Sequence, residues 1–139
     1  MRHNHLAIWV TVALHMVLGF LWYSPFLFLD GWAAGFRIDA AAMAQPNPAA
    51  LVLALAGAAI SCYVASWLIQ RLGVADATAA LGLAVALWAG FVFAALAPHY
   101  LFAQVGAGAL LIDLANTAVA TLMTVFILTF WRARAPTGA

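Results

Sequence analysis

Asp113, a lone aspartate inside an apolar run, is the residue in this sequence best placed to do chemistry. Asn116, Thr117, Thr121 and Thr124 follow it, a spacing that lays a polar band along one side of a helix. A carboxylate at the centre of a membrane helix costs about 2.5–3.5 kcal/mol on insertion scales, so it binds an ion, relays a proton or is satisfied by a partner. Arg37, in the connection after the first apolar run, is the candidate ion-pair partner. His15 lies in the middle of that first run, in register with Thr11 and Gly19. Its imidazole has two readings, a hydrogen bond across the protein to the polar band or one axial ligand to a haem or metal. Asp113, Asn116, Thr117 and His15 form the candidate intramembrane polar site.

Other chemistry finds little material. There are four aspartates (Asp30, Asp39, Asp76 and Asp113) and no glutamate, too few carboxylates for most acid–base pairs. Gly-x-Ser-x-Gly, His-Glu-x-x-His and a phosphate-cradling glycine loop are all missing from the sequence. No catalytic residue, metal site or cofactor is assigned, and an acid–base pair of Asp113 with His99 or His15 is the lesser alternative. Met1-Arg2-His3 has the spacing that chelates Cu(II) or Ni(II) through a free amine, with His5 adding an imidazole. An ordinary solvated start is the simpler reading. Cys62 is the only cysteine, which excludes an intrachain disulfide and a Cys-rich zinc site.

The elements that must position these residues are membrane helices. Of 139 residues, 68% are hydrophobic and 6% charged, where a soluble domain carries roughly 25% charged residues. Lipid is the solvent that fits. The net charge of +1, with five arginines and no lysine, lacks the basic patches of a nucleic-acid binder. Four runs, about 6–28, 49–70, 77–97 and 108–131, each have the roughly 20 residues needed to cross a bilayer. The fold class is therefore all-α, an integral membrane four-helix bundle forming one domain over 1–139. Pro25 breaks or kinks the first run near its end, Arg71-Leu72-Gly73 stops the second, and Pro98 stops the third.

Arg2, Arg71, Arg132 and Arg134 fall on one side of such a bundle and Arg37 alone on the other. The positive-inside rule then puts both termini on the cytoplasmic side of a cytoplasmic (inner) membrane. A cleaved signal peptide over 1–33 is the competing reading, but its apolar run is long and ends in bulky Trp22-Tyr23-Ser24-Pro25. Trp22, Tyr23 and Trp32 become outer interfacial anchors, and Trp131, with Trp9 and Trp67, inner ones. In the 29–48 connection, Trp32, Phe36, Ala40 and Met43 recur at helical spacing before Gln45-Pro46-Asn47-Pro48. That pattern predicts a short helix lying in the interface.

Lipid tails solvate leucine as well as a neighbouring helix does, so small residues mark close helix approach. Ala50, Ala54, Gly57, Ser61 and Ala65 form one such stripe, and Gly82, Ala86, Gly90 and Ala94 another. Both are expected to pack inside the bundle or between subunits.

Several blocks resemble the bacterial domain-of-unknown-function family numbered 1761. They are Gly19-Phe20-Leu21-Trp22-Tyr23-Ser24-Pro25-Phe26, Trp88-Ala89-Gly90-Phe91, Phe102 and Leu111-Ile112-Asp113. The resemblance implies a four-span membrane protein and no particular activity. Where the family pattern has a basic residue before the loop tryptophan, Asp30-Gly31-Trp32 stands here.

The expectation is a non-enzymatic, homo-oligomeric membrane protein with a polar patch at Asp113 that admits an ion or small solute. The alternative is an accessory subunit of a larger membrane complex. A membrane-embedded cofactor carrier or enzyme ranks below both. Its partners are the lipid bilayer and further membrane chains, with no nucleic acid.

Overall fold

The computed structural model describes residues 3–41 and 47–131. Every regular element among them is helical. Four helices are long and apolar enough to cross a membrane: His5–Trp22, Pro48–Arg71, Ala77–Phe102 and Ala107–Phe130, the first to fourth spans. A shorter connecting helix, Leu29–Phe36, joins the first two. The chain is a multi-pass membrane protein, and its 24-residue fourth span would cover about 36 Å at about 1.5 Å per residue.

Local sequence explains the ends. Asn4 caps the first span, its Oδ1 accepting from the Ala7 amide at 3.2 Å. Its Nδ2 donates to the Trp131 carbonyl at 3.1 Å, tying the start of the first span to the end of the fourth. Asn47 caps the second span, with Pro48 at the first turn, where a missing amide costs nothing. Asp76 caps the third through the Ala79 amide. Between second and third spans, Gly73 takes a φ of +65° and Val74 donates back to the Ile69 carbonyl. Glycine adopts that left-handed conformation without a Cβ clash.

Two boundaries differ from the sequence reading. The first span stops at Trp22 rather than near 28. Ser24, the residue before Pro25, is disfavoured from helical geometry by the proline ring, and residues 24–28 form turns. Pro98, expected to end the third span, lies inside a helix that continues to Phe102. A turn of π-helix at Trp88–Phe93 precedes it. Membrane helices tolerate such proline and π irregularities because local readjustment satisfies the freed backbone groups.

The connecting helix is clamped to the head of the fourth span. Gly35 faces Gly106 and Ala109, and the Gly106 amide donates to the Gly35 carbonyl at 2.9 Å. A Cβ on Gly35 would collide with the Cβ of Ala109 and come within 3.1 Å of its backbone nitrogen. The expected helix pattern through Ala40 breaks at Arg37, an exposed residue in the left-handed region (φ 58°) whose amide donates to Ala34. Met43 lies outside the described residues, as do Arg2, Arg132 and Arg134.

The fourth span is the hub and touches every other helix. First and second spans meet through Ala7, Ile8 and Val12 against Ala58, Cys62, Ala65 and Ile69. The second span is buried only along this later half, and no residue from 47 to 57 is buried. It therefore diverges from the bundle toward its start. Its stripe of Ala54, Gly57 and Ser61 stays exposed and lines a cavity instead of a helix contact, and only Ala65 of that stripe is buried. Gly82, Ala86, Gly90 and Ala94 on the third span are all exposed. They do not pack within the bundle.

Candidate functional site

Asp113 is 8% exposed and enclosed by hydrogen-bond donors from three elements. The Tyr23 hydroxyl, in the turn that ends the first span, donates to Oδ1 at 2.5 Å. The Tyr100 hydroxyl, from the last turn of the third span, donates to Oδ2. The Trp32 indole of the connecting helix donates to the same oxygen at 3.1 Å. Three donors and no acceptor complement a carboxylate, which only accepts. Hydrogen bonds to charged groups contribute about 1.5–3 kcal/mol each, so three of them offset the cost of burying this one. The Tyr23 phenol is held well above the usual tyrosine range, first by burial and then by its bond to Asp113. It stays a donor at any physiological pH.

Two further tryptophans grip the same stretch of backbone. Trp22 donates to the Ile112 carbonyl at 3.1 Å. Trp88, at the start of the π turn, donates to the Leu114 carbonyl at 3.1 Å and to Thr117 Oγ1 at 3.2 Å. Five aromatic donors thus converge on residues 112–117. Edge and tilted ring contacts link Tyr23 to Trp32, Trp32 to Phe36 and Phe36 to Tyr100, packing aromatic rings around the carboxylate.

The expected ion pair is replaced by this cage. Arg37 is exposed, and the described residues show no ion pair between it and Asp113. The physical reason lies in the clamp at Gly35, which fixes the connecting helix so that Trp32 faces Asp113 while the chain turns outward at Arg37. Trp22, Tyr23 and Trp32 were expected as interfacial anchors, and the structure turns their polar heads inward onto the fourth span. Trp131, at the opposite end, is 43% exposed.

His15 does reach the polar band. Its Nε2 lies 2.6 Å from Thr124 Oγ1, at the far end of that band from Asp113. Thr124, Thr121 and Thr117 donate their own hydroxyl protons to the carbonyls of Ala120, Thr117 and Asp113. Asn116 has its Nδ2 buried without a partner.

Beside this band lies a cavity of about 540 Å³ bordered by all four spans. Its wall is mainly apolar, with His15, Tyr23, Ser61, Asn116 and Thr121 among its polar members. Gly19 and Gly57 also line it, and a Cβ added at either would meet nothing within 4 Å. The candidate residues therefore split. Asp113 is sealed in the aromatic cage, while His15, Asn116 and Thr117 border the cavity, and Tyr23 belongs to both.

A smaller polar cluster joins the first two spans at their other end. His3 Nδ1 is 2.9 Å from Ser66 Oγ, and His5 Nδ1 is 2.9 Å from the Tyr63 hydroxyl. Among the described residues, no group of three or more metal-binding side chains occurs. His99, raised as a catalytic partner, is exposed and meets only the edge of Tyr100.

Tyr100 and Trp88 are the site residues that sequence reasoning missed. A buried tyrosine or tryptophan needs a partner for its polar head, and both lie on the span next to Asp113 in the chain. That signal was present but did not specify which carboxylate or carbonyl each would find.

Fold and site define a multi-pass α-helical membrane protein built around one aromatic-caged carboxylate. The chain belongs to the family described as protein of unknown function DUF1761, whose model matches residues 6–129. The blocks that carry the resemblance meet in space, since Trp22, Tyr23, Trp88, Ile112 and Asp113 are all members of the cage. No curated protein and no solved structure matches the chain.

Proposed function

We propose that this protein is a non-enzymatic membrane protein that takes a small, largely apolar molecule from the bilayer into its interhelical cavity. The cavity itself carries the reading. At about 540 Å³ it falls within the range of small-molecule sites, which are concave, mostly apolar and furnished with a few polar groups. Two cavity-lining glycines leave open space where a side chain would fill it. In this reading the solute site expected at Asp113 moves along the fourth span to His15 and Asn116, and Asp113 holds the walls in place. The arginine distribution supports termini in the cytoplasm of a bacterial inner membrane. The exposed face of Gly82, Ala86, Gly90 and Ala94 is left for lipid or for further copies of the chain.

Photolabelling tests the reading. Protein in lipid nanodiscs is irradiated with decyl diazirine, an alkane probe, and labelled residues are mapped by mass spectrometry. Labelling of cavity residues such as Ala120 and Thr121 is expected in the parent protein. It should fall at least fivefold in Gly57→Leu, which fills the space, while the exposed Leu111, outside the cavity wall, labels unchanged. Equal labelling of the cavity wall in both proteins would refute the proposal.

A further inference from the structure

Around His15 the polar part of the cavity wall has one chemical sense. Thr121 and Thr124 direct their hydroxyl protons to the helix backbone at 2.7 and 2.8 Å. Both therefore present lone pairs elsewhere. Thr124 Oγ1, its proton committed to Ala120, can only accept from His15 Nε2 at 2.6 Å. His15 is then the tautomer with hydrogen on Nε2, and Nδ1 keeps its lone pair. Tyr23 commits its proton to Asp113, and Asn116 holds its Nδ2 buried in the protein. Ser61 apart, groups that would ordinarily offer hydrogens offer acceptors here.

From this wall we infer that the molecule received by the cavity is a lipid-soluble alcohol or phenol, whose hydroxyl donates to His15 Nδ1 while its hydrocarbon body fills the apolar remainder. The inference rests on the cavity-binding reading above. A donor is required at His15 because an acceptor-only group there would face a lone pair with none of the compensation that burial demands. A hydroxyl is the donor that enters hydrocarbon without carrying charge, whereas an ammonium would meet no carboxylate in the cavity, Asp113 being enclosed by its own three donors. Gly19, one turn beyond His15 on the same face, leaves room above the ring.

Competition against decyl diazirine separates this inference from the reading beneath it. Decanol and its methyl ether differ in one O–H, and each is titrated against cavity labelling. Decanol is expected to displace the probe at about tenfold lower concentration than the ether, a ratio that one well-placed hydrogen bond supplies. In His15→Phe the ratio should fall to about one while the probe still labels the cavity. Nitrogen NMR of histidine-labelled parent protein gives a second readout that needs no variant. It should show His15 protonated on Nε2 alone, with Nδ1 shifting when decanol binds. Equal competition by alcohol and ether, or a proton on Nδ1, would overturn the inference while leaving cavity binding intact. Absence of cavity labelling in the parent protein would overturn both.

Discussion

Asp113 and the 116–124 stretch occupy the same helix about one to three turns apart, yet their surroundings are opposite in kind. Around Asp113 every lone pair that matters has a donor, and those donors arrive from the first span, the connecting helix and the third span. Around His15 and Asn116 the groups are only partly engaged, and the space beside them is open. A fully matched polar network rigidifies what it joins. One with unused acceptors and a void is suited to receive a ligand. On the proposed reading the costliest residue in the membrane is the structural one, and the cheaper polar residues beside it border the binding space.

Breaking the cage should produce the largest effect. Asp113→Leu removes the acceptor and leaves two hydroxyls and an indole buried without partners. A loss of about 3–5 kcal/mol is expected, each donor left unpaired costing about 1–3 kcal/mol, measured by reversible denaturation in mixed micelles. A melting curve like that of the parent protein would mean that the cage is not what holds the helices. Gly35→Leu attacks the same region from outside, by pushing the connecting helix off Ala109 and with it Trp32 off Asp113. Overpacking of this kind costs about 1–3 kcal/mol. Cavity-side Gly57→Leu, by contrast, should cost no stability, so similar losses from both glycines would erase the distinction between the regions. The smallest effect is a gain. Gln104 holds a positive φ of 54° just past the third span, where Val105 donates back to the Tyr100 carbonyl at 3.0 Å. Gln104→Gly should relieve about 1 kcal/mol of left-handed strain, seen as a modest rise in melting temperature.

Composition and run length alone determined four membrane helices, because a chain this apolar has no other solvent and a helix satisfies its own backbone there. They also marked Asp113 and His15 as residues that need partners, since an isolated polar group in hydrocarbon is costly wherever it falls. The hydrogen bond from His15 to the threonine band was one of two readings of that residue, and its Nε2 does meet Thr124. Which partner each residue finds was decided by tertiary structure. Arg37 carried the right charge for Asp113, but contact at Gly35, Gly106 and Ala109 set the direction of the connecting helix and delivered Trp32 instead. Tyr100 reached the carboxylate only because the helix runs on through Pro98, a boundary that proline by itself argues against. The cavity was invisible for a similar reason. It exists because the second span meets its neighbours through its later half and departs from them toward Pro48, and divergence between two helices is written in neither helix's own sequence.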